Sequence, residues 1–123
     1  MPGVPAPFAQ LRGERYLSLA SYRKNGQEVR TPLWFAEENG TVYVMTRDDS
    51  WKYKRIRNNP KVRVAPCTAR GRVTGNWSDA IARVMPRDQE APAREALRRK
   101  YWLLRIPWLW SKHNVFIALE PAQ

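Results

Sequence analysis

Cysteine and histidine are almost missing from this chain. Cys67 is the single cysteine and His113 the single histidine among 123 residues. One cysteine excludes an intrachain disulfide and fits a reducing, cytoplasmic setting. With one histidine, no Ser-His-acid arrangement and no metal-ligand cluster is visible in the pattern. No run of about 18 apolar residues exists, so no helix is expected to span a bilayer. The opening MPGVPAPF lacks a basic region followed by a long apolar run, so a secretory signal is not expected. Acidic residues are scarce: Asp and Glu number 11 against 22 Lys and Arg, for a net charge of +11 and a pI of about 10.5. That surplus points to an anionic partner, whether nucleic acid, a membrane surface, or a phosphorylated or carboxylated ligand. No internal repeat or domain boundary is visible. Residues 1–123 read as a single domain with a loose, Pro-rich N-terminus over 1–6. A chain of this length buries roughly two thirds of its unfolded surface. A sizeable ligand would therefore sit at an edge or between subunits.

Tryptophan, by contrast, is abundant. Six in so short a chain suggest aromatic walls around a ligand or a large contact surface. Alternating runs over Tyr16–Arg23, Glu28–Ala36 and Thr41–Thr46 predict three strands. Asn25-Gly26 and Asn39-Gly40 between them predict two hairpins. A one-turn helix is expected over Phe8–Arg12, and a basic helix over Ser50–Asn58, capped at its start and stopped by Pro60. Tyr53 and Ile56 should face the body. Lys61–Cys67, Trp77–Met85 and Asn114–Leu119 complete the strands, and Gln89–Leu104 is a second long helix. Six short strands linked by hairpins must hide their edges. The fold class is therefore mainly β: a six-stranded antiparallel barrel with two or three short helices.

The segment from Arg30 to Pro60, RTPLWFAEENGTVYVMTRDDSWKYKRIRNNP, carries the chemistry. The first turn of a helix offers unpaired amides and a positive dipole end, which suit a phosphate or carboxylate. Ser50 adds a hydroxyl and Lys52 an ammonium, with Thr46 and Arg47 close to the same point. An ordinary capped, solvated helix has the same local features. Pro32 interrupts a strand, removing one ladder donor and marking an edge or a functional break. A strand that pairs incompletely leaves backbone groups free for the polar edge of a ring.

Arg30, Thr46, Ser50-x-Lys52, Asn59-Pro60 and the alternating strand that follows together resemble the flavin-binding split-barrel family, which includes pyridoxamine 5′-phosphate oxidases and coenzyme F420-dependent enzymes. TPLWF and the run Ala65-Pro66-Cys67-Thr68-Ala69-Arg70-Gly71 look most like the F420-dependent branch. The resemblance implies a homodimer with the cofactor at the interface. It implies that Arg30 and Lys52 bind the phosphate or acidic tail. Thr31, Pro32, Leu33, Trp34 and Phe35 would run beside the ring and ribityl chain. Met45 and Thr46 would contact ring or tail, Ser50 and Trp51 would border the phosphate, and Thr74 would reach the cofactor from the partner subunit. Where the vitamin oxidases carry Arg and Lys, this chain has Trp51 and Phe35, and it ends in LEPAQ without their Arg-x-His pair. Pyridoxamine phosphate oxidation is therefore not expected.

The resemblance implies an F420-dependent oxidoreductase acting on an apolar or conjugated small molecule, with FMN as the alternative cofactor. No catalytic side chain is assigned, because the cofactor itself carries hydride. F420 has a phosphate and an oligoglutamate tail, so Arg23, Lys24, Arg47, Lys52, Lys54 and Arg55 would form a groove for it. A non-catalytic carrier of flavin, deazaflavin or haem is the second class. Nucleic-acid binding ranks below both, since no recognition-helix motif appears. Asp79 is a weaker candidate proton donor. The segment Leu97–Trp110, LRRKYWLLRIPWLW, reads first as core or dimer contact, then as a lid, then as a peripheral membrane contact.

Overall fold

The computed structural model describes residues 8–101 and 113–122. Six strands close into an antiparallel barrel in the order β1-β2-β3-β6-β5-β4. They are β1 (Tyr16–Tyr22), β2 (Glu28–Glu38), β3 (Thr41–Arg47), β4 (Lys61–Cys67), β5 (Ser78–Val84) and β6 (Asn114–Pro121). Helix α1 (Trp51–Asn58) follows β3, and α2 (Ala91–Lys100) lies between β5 and β6. The expected six-stranded barrel is therefore the observed one. The short helix near the start is a 3-10 turn over Ala9–Leu11.

The two hairpins differ in kind. Asn39 and Gly40 both take positive φ, 54° and 83°, the two-residue turn that twists with its strands. In the first hairpin only Gly26 does so, at 89°. There the Arg23 amide donates to the Gln27 carbonyl, which leaves a three-residue loop with glycine at the left-handed position.

Alternation sorts the side chains into two packing layers. Leu17, Leu19, Phe35, Val42, Val44, Val62, Val64, Ile117 and Leu119 fill the barrel interior. The opposite faces of β2 and β6 give Ala36, Phe116 and Ala118, which pack with Ala93, Ala96 and Leu97 of α2, with Tyr43 and Met45 of β3 against the same cluster. Strand β6 is buried from Asn114 through Leu119 because both of its faces are covered. Each such Leu, Ile, Val or Phe contributes about 1.5–3 kcal/mol by leaving water. The second helix is shorter than expected. It stops at Lys100, and Tyr101 is extended at φ −121° because its side chain is tied to the barrel. The part of the tryptophan-rich segment from 102 to 110 lies outside the described residues. No described helix is long and apolar enough to cross a membrane.

Strand β2 has two halves. Glu28–Trp34 pairs with β1, and Phe35–Glu38 pairs with β3. Beyond Val44, β3 pairs only with β6. Among the described residues, the first half of β2 thus has no strand neighbour on its β3 side, and the barrel wall is split there.

Candidate functional site

Pro32 sits on this split, but it costs the ladder nothing. Arg23 and Gln27 form a hydrogen-bonded pair. Antiparallel pairs alternate between bonded and non-bonded. Counting along the register makes Leu17–Leu33 a bonded pair and Ser18–Pro32 a non-bonded one. The expectation that Pro32 removes a ladder donor is therefore corrected: its nitrogen faces the open side. The carbonyls of Arg30 and Pro32, and the polar groups of Trp34, face the same way.

Beside this edge is a cavity of about 260 Å³ lined by Tyr16, Pro32, Leu33, Trp34, Met45 and Leu97. Four of the expected ring-contacting residues, Pro32, Leu33, Trp34 and Met45, meet there. Thr31 and Phe35 do not line it. Phe35 is fully buried in the barrel core, with the Lys100 ammonium 3.5 Å from its ring centroid. Sequence reasoning missed Tyr16 and Leu97, which reach the cavity from a strand start and from α2. It also missed Tyr101, whose ring stacks on Trp34 at 4.9 Å and 10°.

The start of α1 forms the next part. Ser50 caps the helix, its Oγ accepting from the Tyr53 amide at 3.2 Å and donating to the Arg47 carbonyl at 2.8 Å. The buried Thr46 hydroxyl lies 3.2 Å from the same oxygen. Ile56 faces the barrel as expected, whereas Tyr53 stays half-exposed with the Arg57 guanidinium over its ring.

One face of α1 and the end of β1 enclose a groove of about 460 Å³, lined by Tyr22, Arg23, Lys24, Trp51, Lys54, Arg55 and Asn58. Of the six cations expected to form a groove, Arg23, Lys24, Lys54 and Arg55 meet here. Trp51 is 72% exposed at its rim, with the Lys54 ammonium 4.6 Å from the ring centroid. Among the described residues none of these four cations has an acidic partner, although Arg12, Arg30, Arg47, Arg63 and Arg83 each do. Arg55 instead donates to the Ser21 hydroxyl at 2.8 Å. Burial, then the neighbouring Arg23 charge, pulls the Arg55 guanidinium below its ordinary value. Lys52 is half-buried and offset from this face by about 100°. Burial, then the Arg55 charge, pulls its ammonium down as well.

Arg30 and Arg47 are not part of this assembly. Arg30 donates to Glu28 at 2.8 Å and stacks over Trp77 at 4.7 Å on the outer barrel face. Arg47 grips Asp49 through two 3.0 Å bonds, which pull the Asp49 carboxyl down. Thr74 is exposed, and its amide donates to the Pro66 carbonyl at 2.9 Å. Asp79 is exposed beside Arg63, away from the cavity. Cys67 is buried, and burial pushes its thiol up. His113 is half-exposed, with its Nδ1 3.1 Å from Asp48. Folding brings Asp48, Asp49 and His113 within 4.8 Å, a grouping their separation in the chain conceals. The Arg47 guanidinium already neutralises its second carboxylate.

No known family profile and no curated protein matches the chain. Solved structures do. The haem storage protein HutZ of Vibrio cholerae matches with a TM-score of 0.74 at 15% identity, covering 91% of this chain and 84% of that one. A FAD-binding protein of Mesorhizobium loti gives 0.67 at 23% identity, covering 93% and 84%. A proposed pyridoxamine 5′-phosphate oxidase of Listeria innocua gives 0.64 at 17% identity, covering 94% and 90%. At these identities the likeness shows the fold: the chain has the split-barrel architecture of these proteins.

Proposed function

We propose that this chain binds a phosphorylated, tricyclic redox cofactor and works as an F420-dependent oxidoreductase. The observation that carries this reading is the groove in which Arg23, Lys24, Lys54 and Arg55 converge with no acidic partner among the described residues. Like charges crowded together are costly unless an anion relieves them. A phosphate with an oligoglutamate tail supplies several negative charges, whereas FMN supplies one phosphate. That difference favours F420, with FMN as the alternative.

The donor set fits such a molecule. Trp51, Ser50, Thr46 and Lys52 lie around the start of α1, and the cavity beside Pro32, Leu33, Trp34 and Met45 suits a single planar ring system. Backbone groups of Arg30, Pro32 and Trp34 would meet the polar ring edge. When bound, the cofactor supplies hydride chemistry. The protein holds the ring and keeps water from it. Among the described residues, Tyr16 is the only titratable one lining the cavity, in keeping with chemistry borne by the cofactor. The active unit would be a homodimer, with the cofactor at the interface and Thr74 contributed from the partner subunit.

A carrier without turnover is the second reading, favoured by the same scarcity of acid–base groups among the described lining residues and by the fold shared with a haem storage protein. Titration of the purified chain with F420, FMN and haemin, followed by ligand fluorescence or absorbance, separates these readings. Micromolar F420 binding with hydride transfer supports the first. Haemin binding without F420 or FMN affinity supports a haem carrier. Failure of all three to bind removes both.

A further inference from the structure

The loop between β4 and β5 ends in a tightly bonded tip. The Thr68 amide donates to the Arg72 carbonyl and the Gly71 amide to the Thr68 carbonyl, each at 2.9 Å. The Arg72 amide donates to Thr68 Oγ1 at 3.1 Å. Gly71 has φ +92°, a conformation side chains rarely adopt. The base of the loop is fixed too. Gln10 donates to the Asn76 carbonyl, and the Trp77 ring lies under the guanidinia of Arg30 and Arg63.

This tip abuts the cavity wall. A Cβ on Gly71 would lie 3.8 Å from Cγ and Cδ of Pro32, and Pro32 lines the cavity. Arg70 and Arg72 flank Gly71, with Cα atoms about 3.8 Å from its own. Both are exposed, and neither has an acidic partner among the described residues. Among the described residues, the cavity lining includes no acid that would attract them. Two forked, permanently charged donors thus flank the residue that abuts a wall of an apolar slot, a placement suited to a carboxylate or phosphate.

We infer that Arg70 and Arg72 form an anion clamp at the cavity rim, and that the substrate is a planar conjugated molecule bearing a carboxylate or phosphate. This rests on the cavity being the ring site, and it replaces a simply apolar substrate with an acidic one. The substrate's flat part would lie on the cofactor ring, and its charged end would turn toward the tip.

The test uses the full chain loaded with F420 or FMN. It is titrated with trans-cinnamate and with trans-cinnamamide, a neutral molecule of the same shape, and read by perturbation of the ring absorbance. Cinnamate should bind about tenfold more tightly, the ratio one charge-assisted contact supplies in a partly solvated site. The Arg70→Ala, Arg72→Ala double variant should bring the two within about twofold. Arg83→Ala, whose partner is Glu120, should keep the preference. Equal affinities in the parent chain, or an unchanged preference in the double variant, overturn the inference while leaving the cofactor reading intact. Loss of cofactor affinity in the double variant would assign the tip to the cofactor phosphate and also overturn it. If neither cofactor binds, both readings fall together.

Discussion

The Tyr101 hydroxyl takes the place of a missing strand residue opposite Phe35. It lies 2.7 Å from the Phe35 carbonyl and accepts from the Phe35 amide at 3.1 Å. Its oxygen is also 2.7 Å from the Arg15 carbonyl, just before β1 begins. Phe35 is the first β2 residue beyond the β1 ladder. Without the hydroxyl, its polar groups would face the protein interior unpaired. The same side chain stacks on Trp34, so one residue closes the end of the ladder and fixes a wall of the cavity.

Tyr101→Phe should keep the stack and lose those bonds. A cost of about 1–3 kcal/mol is expected, because the buried Phe35 amide loses its partner. Urea denaturation of both proteins measures it. The pH dependence gives a second readout. Burial, above all, pushes the Tyr101 phenol up to about 12. A group raised in the fold contributes stability that is complete below its ordinary value of 10.0 and is lost as pH rises through about 12. The parent chain should therefore lose stability over that alkaline window. The Tyr101→Phe variant should lack this component.

Local signals made the strands and turns legible. Alternation over Thr41–Arg47 and the Asn39-Gly40 turn need only neighbours along the chain. Pro32 read as an interruption because sequence alone cannot say which side of a strand a nitrogen faces; the register with β1 decides that. The groove cations were legible as a charge surplus near α1. The pairing of Arg47 with Asp49, and of Arg30 with Glu28, was not, although both partners are only two residues away. The role of Tyr101 depends on a contact across the whole chain, for which periodicity carries no signal.

Ser50 joins helix start and ligand site, and two substitutions separate those roles. Ser50→Ala removes the cap and the Thr46 contact, and should cost about 1 kcal/mol of stability. Ser50→Asp still caps, since a carboxylate accepts from the helix amides and favours the positive dipole end. It should therefore retain parent-like stability. Its negative charge would repel a phosphate there, so F420 or FMN affinity should fall sharply. Thermal denaturation and cofactor titration on the same samples check both halves. Unchanged cofactor affinity in Ser50→Asp would place the phosphate elsewhere.

Gly75 is a contact glycine rather than a turn glycine. A Cβ there would approach Pro66 Cγ to 2.6 Å. Gly75→Ala should cost about 1–3 kcal/mol through overpacking. The double variant with Pro66→Ala should recover part of that loss, giving a non-additive cycle in urea denaturation. Strict additivity would mean the loop yields without strain.

The groove predicts a graded response to charge removal. Arg23→Ala, Lys54→Ala and Lys52→Ala should each weaken F420 or FMN binding about threefold to tenfold, and Lys61→Ala should not. Raising salt should narrow these differences, because the groove is open to solvent. Lys52 adds a pH signature with a fixed sign. Burial, then the Arg55 charge, sets its free value below the ordinary 10.5. A bound anion favours the charged ammonium and raises that value again. Binding must then take up a proton in the window between the free and bound values, so affinity should fall as pH rises through the free value. Lys52→Arg keeps its charge throughout this range, so that limb should flatten. Fluorescence titrations from neutral to alkaline pH read both slopes. An identical decline in the parent chain and in Lys52→Arg would show that another group titrates, and would remove Lys52 from the phosphate contact.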